Sequence, residues 1–368
     1  MFDKYFSNVS VGTGNNFILE FSKPRSVKAR VFFKPEVTGK YNYRFFFQNT
    51  VNCTFSEGEV AYVNKSGGNW KINFATVGTA SIASRDVEVD DPTPVTFDGN
   101  IQKCVSPDET FWSDEININI PDGKYLVWEW EVEGNSIPCT PDSIVPTFVS
   151  CEEKIPGANC PMPNFIGCDK PVKKRVAFAG DSITQGCGTG IDKYDMWVAQ
   201  NTEMLKNDYS VWNLGLGCCR CSDAATMGSL FYKVKQNDVV ILTYGVNDLF
   251  HGKFGDDRHA TAGELLANIE KIVKELRAQN TEVILSTIPP FIYAESGEAE
   301  WRYANMAIPT LAKMYGCRVF DFEASLDGSP LPLGNDHSKY GPHPNAEGGK
   351  AAAEEFKRTF FDGTNWTL

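Results

Sequence analysis

The apolar run Arg175-Val-Ala-Phe-Ala179 has the composition of a buried strand, yet it ends at Gly180-Asp181-Ser182 and so presents a hydroxyl. Serine is a weak nucleophile until a base takes its proton, and histidine is the usual base near neutral pH. Three further stretches that follow apolar runs, or lie beyond the last of them, carry complementary groups: Asn213-Leu-Gly-Leu-Gly217, Gly245-Val-Asn-Asp248 and Gly341-Pro-His-Pro-Asn345. Backbone N–H groups and an asparagine amide can face the oxyanion of a tetrahedral intermediate. Brought to one rim, a serine, a histidine and these donors would form an acyl-transfer site. Each taken singly has a plainer reading. Gly-Asp-Ser can be a capped strand-to-helix turn, Asn247-Asp248 a turn, and His343 a residue ahead of a helix whose start is marked by Asn345 and Glu347.

The elements that would bring them together can be read from the texture of the chain. After Lys174, the short apolar segments RVAFAG, YSVWNLG, DVVILTYG, TEVILSTI and RVFDF alternate with helical ones such as MWVAQNTEML, AGELLANIEKIVKELRAQ, AEWRYANMAIPTLAKMY and AEGGKAAAEEFKRTF. This alternation predicts an α/β/α sandwich with a five-stranded parallel sheet, whose ligand site lies beyond the carboxyl ends of the strands. Up to about residue 150 the texture differs. ARVFFKPEV, KYNYRFFFQNTV, GEVAYVN, NWKINFATV, ASRDVEV, EININI and KYLVWEWEVEG are separated by Gly-, Asp- and Pro-rich turns, which predicts an all-β sandwich of jelly-roll type. The Pro-, Gly- and Cys-rich stretch 151–174 has little periodicity, so the expected domains are a β-sandwich over 1–160 and a catalytic domain over 170–368.

Composition narrows the partners. A formal net charge of -12 over 368 residues, with no basic cluster, argues against nucleic acid and suits a small-molecule or oligosaccharide substrate that is neutral or cationic. No basic segment followed by an apolar one opens the chain and no run of apolar residues is long enough to span a bilayer, so neither secretion nor membrane insertion is expected. The 11 cysteines do not follow a disulfide-scaffold spacing, which favours reduced thiols and a cytoplasmic setting. Cys218 and Cys221 form a C-x-x-C, but a metal site would need a second ligand pair at similar spacing, and packed thiols are the simpler expectation.

GDSITQG, NLGLG, YGVND and GPHPN together resemble the four blocks of the SGNH, or GDSL, hydrolase superfamily, over roughly Arg175 to Phe361. A sandwich domain ahead of them also resembles carbohydrate esterase family 2, whose members remove acetyl groups from plant polysaccharides. The first resemblance implies that Ser182 is the nucleophile and lends its backbone N–H to the oxyanion hole, that Asn247 donates through its side chain, and that His343 is general base and then general acid. The second block is less tidy. Many relatives have the donor glycine five residues after the block's asparagine, which here is Cys218; Gly217, one residue earlier, is the expected donor. Where the family has an aspartate three residues before its histidine, this chain has Tyr340, so a backbone carbonyl there would orient His343, with Asp336 as the other candidate. Asp181 and Asp248 read as structural, bonding loop backbone. His251 and His259 read as solvent-facing or substrate-contacting, and His337 lacks the residues that follow the family's histidine. Trp197 follows the serine loop, while Trp128 and Trp130 alternate with acidic residues as core tryptophans of a strand would. The implied activity is removal of a short acyl group, acetyl above all, from oligosaccharide through an acyl-enzyme, with neither metal nor organic cofactor. A lipase or thioesterase and a non-catalytic carbohydrate-binding protein are the alternatives.

Overall fold

The structure, a computed structural model, describes residues 1–56, 60–140, 144–155, 159–250, 260–290, 295–326, 338–340 and 343–368. Five parallel strands form one sheet in the order Tyr209–Gly215, Lys174–Gly180, Val239–Thr243, Glu282–Ser286, Arg318–Phe320. The order reverses between Lys174–Gly180 and Val239–Thr243, and the crevice beyond such a switch point is where open α/β sheets hold ligands. Val239–Thr243 is buried throughout, as expected for a strand covered on both faces. The helices Trp197–Leu205, Ala262–Ala278, Glu295–Met314 and Ala346–Phe360 coincide with the segments whose apolar periodicity predicted them.

The amino-terminal strands build two antiparallel sheets. One contains Phe6–Ser7, Phe165–Cys168, Gly39–Gln48 and Ile116–Ile120, with Thr110–Trp112 beside Gly39–Gln48. The other is centred on the long pair Phe17–Phe33 and Tyr125–Cys139. Side chains from both, including Phe45, Phe47, Val31, Trp128 and Trp130, share one apolar core. Alternation is strict in Ile116–Ile120, where the three isoleucines are buried and the asparagines between them exposed.

Three local expectations change. The stretch expected to be an irregular connection supplies Phe165–Cys168, which pairs with Gly39–Gln48, because its four residues are all buried. KYNYRFFFQNTV is two strands rather than one. They part at Asn49, whose side-chain amide turns aside to the carbonyls of Gly68 and Ser106. The strand near ASRDVEV lies instead at Asp90–Pro94, an exposed strand beside Trp70–Ala80 that can carry prolines at a sheet edge.

Tyr209–Gly215 is an edge strand of the parallel sheet, yet all seven of its residues are buried. The amino-terminal segment covers it. Ser210 Oγ donates to the carbonyl of Ser7, Phe2 stacks on Trp212 with centroids 5.3 Å apart, and Phe165 meets the same indole at 4.6 Å. An exposed apolar edge would invite pairing with another chain, so this cover is structurally necessary.

Candidate active site

Ser182 opens a one-turn helix, Ser182–Gln185, directly after the strand Lys174–Gly180. Asp181 caps it by accepting the Ile183 N–H at 2.9 Å. Because the first N–H groups of a helix have no intrahelical partner, that of Ser182 is not consumed by the turn. The turn lies flat against the second parallel strand: a Cβ on Gly215 would sit 2.1 Å from the Gln185 nitrogen, so only glycine permits this approach.

The second block forms a tight turn. Leu216 N–H donates to Gly180 O at 3.0 Å, and Cys219 N–H returns to Leu216 O at 3.1 Å, with Gly217 and Cys218 between them. The turn's own hydrogen bond runs from Cys219 to Leu216 and does not involve the N–H of Gly217. Cys218 has a φ of 63°, the left-handed conformation that glycine favours, so the cysteine holds the geometry of the residue that many SGNH sequences have there.

Asn247 lies in the one-turn helix Val246–Leu249, just past the strand Val239–Thr243. Its amide nitrogen donates to the Cys219 carbonyl at 3.1 Å. A side-chain amide has two hydrogens, so this bond orients the group and leaves one for a ligand.

His343 and Pro344 form a short strand antiparallel to Ser338–Tyr340, with Tyr340 paired to His343. The helix Ala346–Phe360 then starts from Asn345, whose side chain accepts the Gly348 N–H at 2.9 Å. Ser182 Oγ and His343 Nε2 are 2.8 Å apart, although 161 residues separate them. For the hydroxyl to donate, Nε2 must be the unprotonated nitrogen, and in that state the imidazole can take the serine proton.

Beneath this rim two carboxyl groups are wholly buried. Burial pushes Asp181 up to about 7; the Ile183 N–H opposes the rise and Asp248 adds to it. Burial likewise pushes Asp248 up to about 7, against the Cys221 N–H that it accepts at 2.9 Å. Both bond backbone, as structural aspartates do. Trp197 is buried against Phe178 and Phe320, so it packs core rather than facing a ligand. Trp128 and Trp130 are buried in the sandwich.

A model of the GDSL-like Lipase/Acylhydrolase family matches residues 178–351, the segment that carries all four of these groups. This segment is an SGNH hydrolase domain. The match assigns this segment to a family of lipases and acylhydrolases. Among solved structures, the SGNH domain is similar to an acetylxylan esterase from Geobacillus stearothermophilus, at 20% identity and a TM-score of 0.42, covering 54% of this chain and 97% of that one. It is also similar to the acetyl xylan esterase AlAXEase, at 22% identity and a TM-score of 0.40, covering 50% and 98%. A third likeness is to LAE5, an alpha/beta hydrolase enzyme from the metagenome of Lake Arreo, Spain, at 22% identity and a TM-score of 0.42, covering 51% and 95%. No curated protein sequence matches the chain.

Of the residues singled out in the sequence, Ser182 and His343 meet directly, while Gly217, Cys218 and Asn247 are joined to them through Gly180 and Cys219. Asp336, His251, His259 and His337 lie outside the described residues. Sequence reasoning gave the Asn213 side chain no role and missed the segment that supports it. Asn213 is buried and donates to the carbonyls of Ser10 and Thr184, and its Oδ1 accepts the Gly215 N–H. The one signal was the run Val-Gly-Thr-Gly-Asn-Asn at 11–16, in which Gly12 and Gly14 lie close against Gly215 and Leu216.

Proposed function

We propose that the protein is a serine esterase that removes short acyl groups, acetyl above all, from carbohydrate, with oligosaccharides as substrates. The observation that carries this reading is the 2.8 Å approach of Ser182 Oγ to His343 Nε2 at the carboxyl edge of the sheet. In this mechanism His343 takes the proton as Ser182 attacks the ester carbonyl. The oxyanion is held by the N–H of Ser182, the N–H of Gly217 or of its neighbour Cys218, and the second amide hydrogen of Asn247. His343 then gives this proton to the sugar oxygen as its bond to the acyl carbon breaks, and an acyl-enzyme remains. Water, activated by the same imidazole, releases the acid. Tyr340, paired to His343, would orient the ring through its backbone carbonyl, with Asp336 as the other candidate.

Three features support a small acyl group on a sugar. An amino-terminal region of antiparallel β-sheets ahead of an SGNH domain resembles carbohydrate esterase family 2. The loop that follows the serine turn carries Gly188, Thr189 and Gly190, small residues that offer little apolar surface to a long acyl chain. The net charge of -12 suits an uncharged substrate.

The test is turnover of p-nitrophenyl esters from acetate to octanoate, together with mass spectrometry of acetylated mannan, xylan and chitin oligosaccharides before and after treatment. We expect acetate to be preferred and acetyl groups to be lost from at least one glycan. Ser182→Ala should abolish both while leaving the fold intact. Comparable kcat/KM on octanoate would favour a lipase or thioesterase, and no turnover of any ester would favour a carbohydrate-binding protein.

A further inference from the structure

Cys219 has a neighbour that its own GCCRC motif does not supply. The hairpin Thr50–Ser56 and Val60–Ser66 leaves the two amino-terminal sheets and clasps the helix Ser229–Val234 of the SGNH domain. Asn52 Nδ2 donates to Ser229 Oγ at 2.8 Å, and Asn64 Oδ1 accepts the Ser229 N–H at 2.8 Å. This contact carries Cys53 to Cys219. The two thiol sulfurs and a carboxylate oxygen of Asp223 all lie within 4.8 Å of one another, and all three residues are buried.

We propose that Cys53, Cys219 and Asp223 form a binding site for a thiophilic divalent cation of the zinc class, which pins the hairpin to the oxyanion turn. The spacing suits it: zinc–sulfur bonds of about 2.3 Å at tetrahedral angles put ligand atoms about 3.8 Å apart, so small side-chain adjustments bring all three ligand atoms within reach of one ion, whose fourth position is left to a non-protein ligand such as water. Two sulfurs and one carboxylate oxygen select zinc-like ions over calcium or magnesium, which take oxygen ligands. The exchange also balances. Two S–H bonds break, two sulfur–metal bonds form, and two protons leave to solvent as one dication enters, so the net charge of the buried cluster does not change. That balance matters because Lys233, wholly buried and donating to Asn52 Oδ1, stands among the same residues, and Arg220 pairs with Asp223. An ammonium there opposes a bare dication but favours the thiolates that accompany it. The site has a structural consequence, since the Cys219 carbonyl holds the Asn247 amide.

The cluster draws its ligands from residues 53, 219 and 223 and uses neither cysteine of the C-x-x-C formed by Cys218 and Cys221. One of its three ligands, Cys53, comes from the amino-terminal region.

The experiment is metal binding by the full chain, a readout independent of esterase activity. Reduced, chelator-stripped protein is titrated with Cd²⁺, following the thiolate-to-cadmium absorption, and separately equilibrated with Zn²⁺, desalted and assayed for retained metal. We expect about one equivalent of retained zinc, a cadmium–thiolate band, and a rise in Tm with Zn²⁺. Cys53→Ser and Cys219→Ser should each weaken binding at least about tenfold, whereas Cys104→Ser and Cys317→Ser should not. Circular dichroism shows whether the variants fold; if they do not, the wild-type titration decides. Wild-type protein that retains no zinc and gives no thiolate band overturns the proposal. So does binding that survives Cys53→Ser, or a Cys53–Cys219 disulfide in the purified protein that excludes metal.

Discussion

Asn213 reaches out of the parallel sheet to the carbonyl of Ser10, 203 residues away, and bonds it at 3.1 Å. The same amide donates to Thr184 O at 3.0 Å, inside the turn that presents Ser182, and its Oδ1 accepts the Gly215 N–H at 2.9 Å. One buried side chain therefore joins the amino-terminal segment, the serine turn and the second block. Asn213→Ala would leave two carbonyls and an N–H buried without it, and should cost about 3 kcal/mol of stability. Asn213→Asp, the same size but unable to donate to either carbonyl when ionised, should do no better. Urea unfolding measures both, and a loss below about 0.5 kcal/mol in either variant contradicts this account.

Asn247→Ala should lower kcat about a hundredfold with a smaller change in KM, because an oxyanion donor acts mainly in the transition state. Steady-state kinetics on p-nitrophenyl acetate decide the matter. A defect confined to KM would make Asn247 a substrate-binding residue instead.

Asp336→Asn distinguishes the two ways of orienting His343. If the Tyr340 backbone does so, the variant should keep most of its activity. If Asp336 is the third member of a triad, removing its charge should cost orders of magnitude in kcat. A loss above about a hundredfold in a variant whose circular dichroism is unchanged would establish the triad.

The pH dependence of stability should carry the mark of Asp181. In the unfolded chain this carboxyl ionises near 3.8, whereas in the folded protein burial pushes it up to about 7. The folded state thus keeps a proton that the unfolded state loses. The associated stability is full below the unfolded value and falls as pH rises toward about 7, because the unfolded state binds fewer protons across that window. Asp181→Asn keeps an oxygen for the Ile183 N–H and cannot ionise, so stability should fall less steeply between those limits. Asp248, pushed up to about 7 as well, keeps its own share of the slope. Urea midpoints at several pH values measure this, and an unchanged slope would show that Asp181 ionises as freely when folded as when unfolded.

The four blocks, the five parallel strands and the helices between them were legible because each is a local pattern. A buried strand is an unbroken apolar run, a helix repeats every three to four residues, and a strand that must present a hydroxyl ends in glycine and serine. The same locality made Asn345 readable as the cap of the helix behind His343, and the left-handed turn at Cys218 is the departure that composition could not reveal. What only the tertiary structure decided lies between residues far apart in sequence. Phe165–Cys168 became a strand because an open place beside Gly39–Gln48 accepted it, although its own sequence reads as a connection. The segment from Ser7 to Asn16 became the cover of an exposed sheet edge, and Cys53 came to face Cys219 because a hairpin of one sheet system docks on a helix of the other. Such contacts depend on the shapes of two finished surfaces and on the polar groups each leaves unpaired, and these exist only once both have folded.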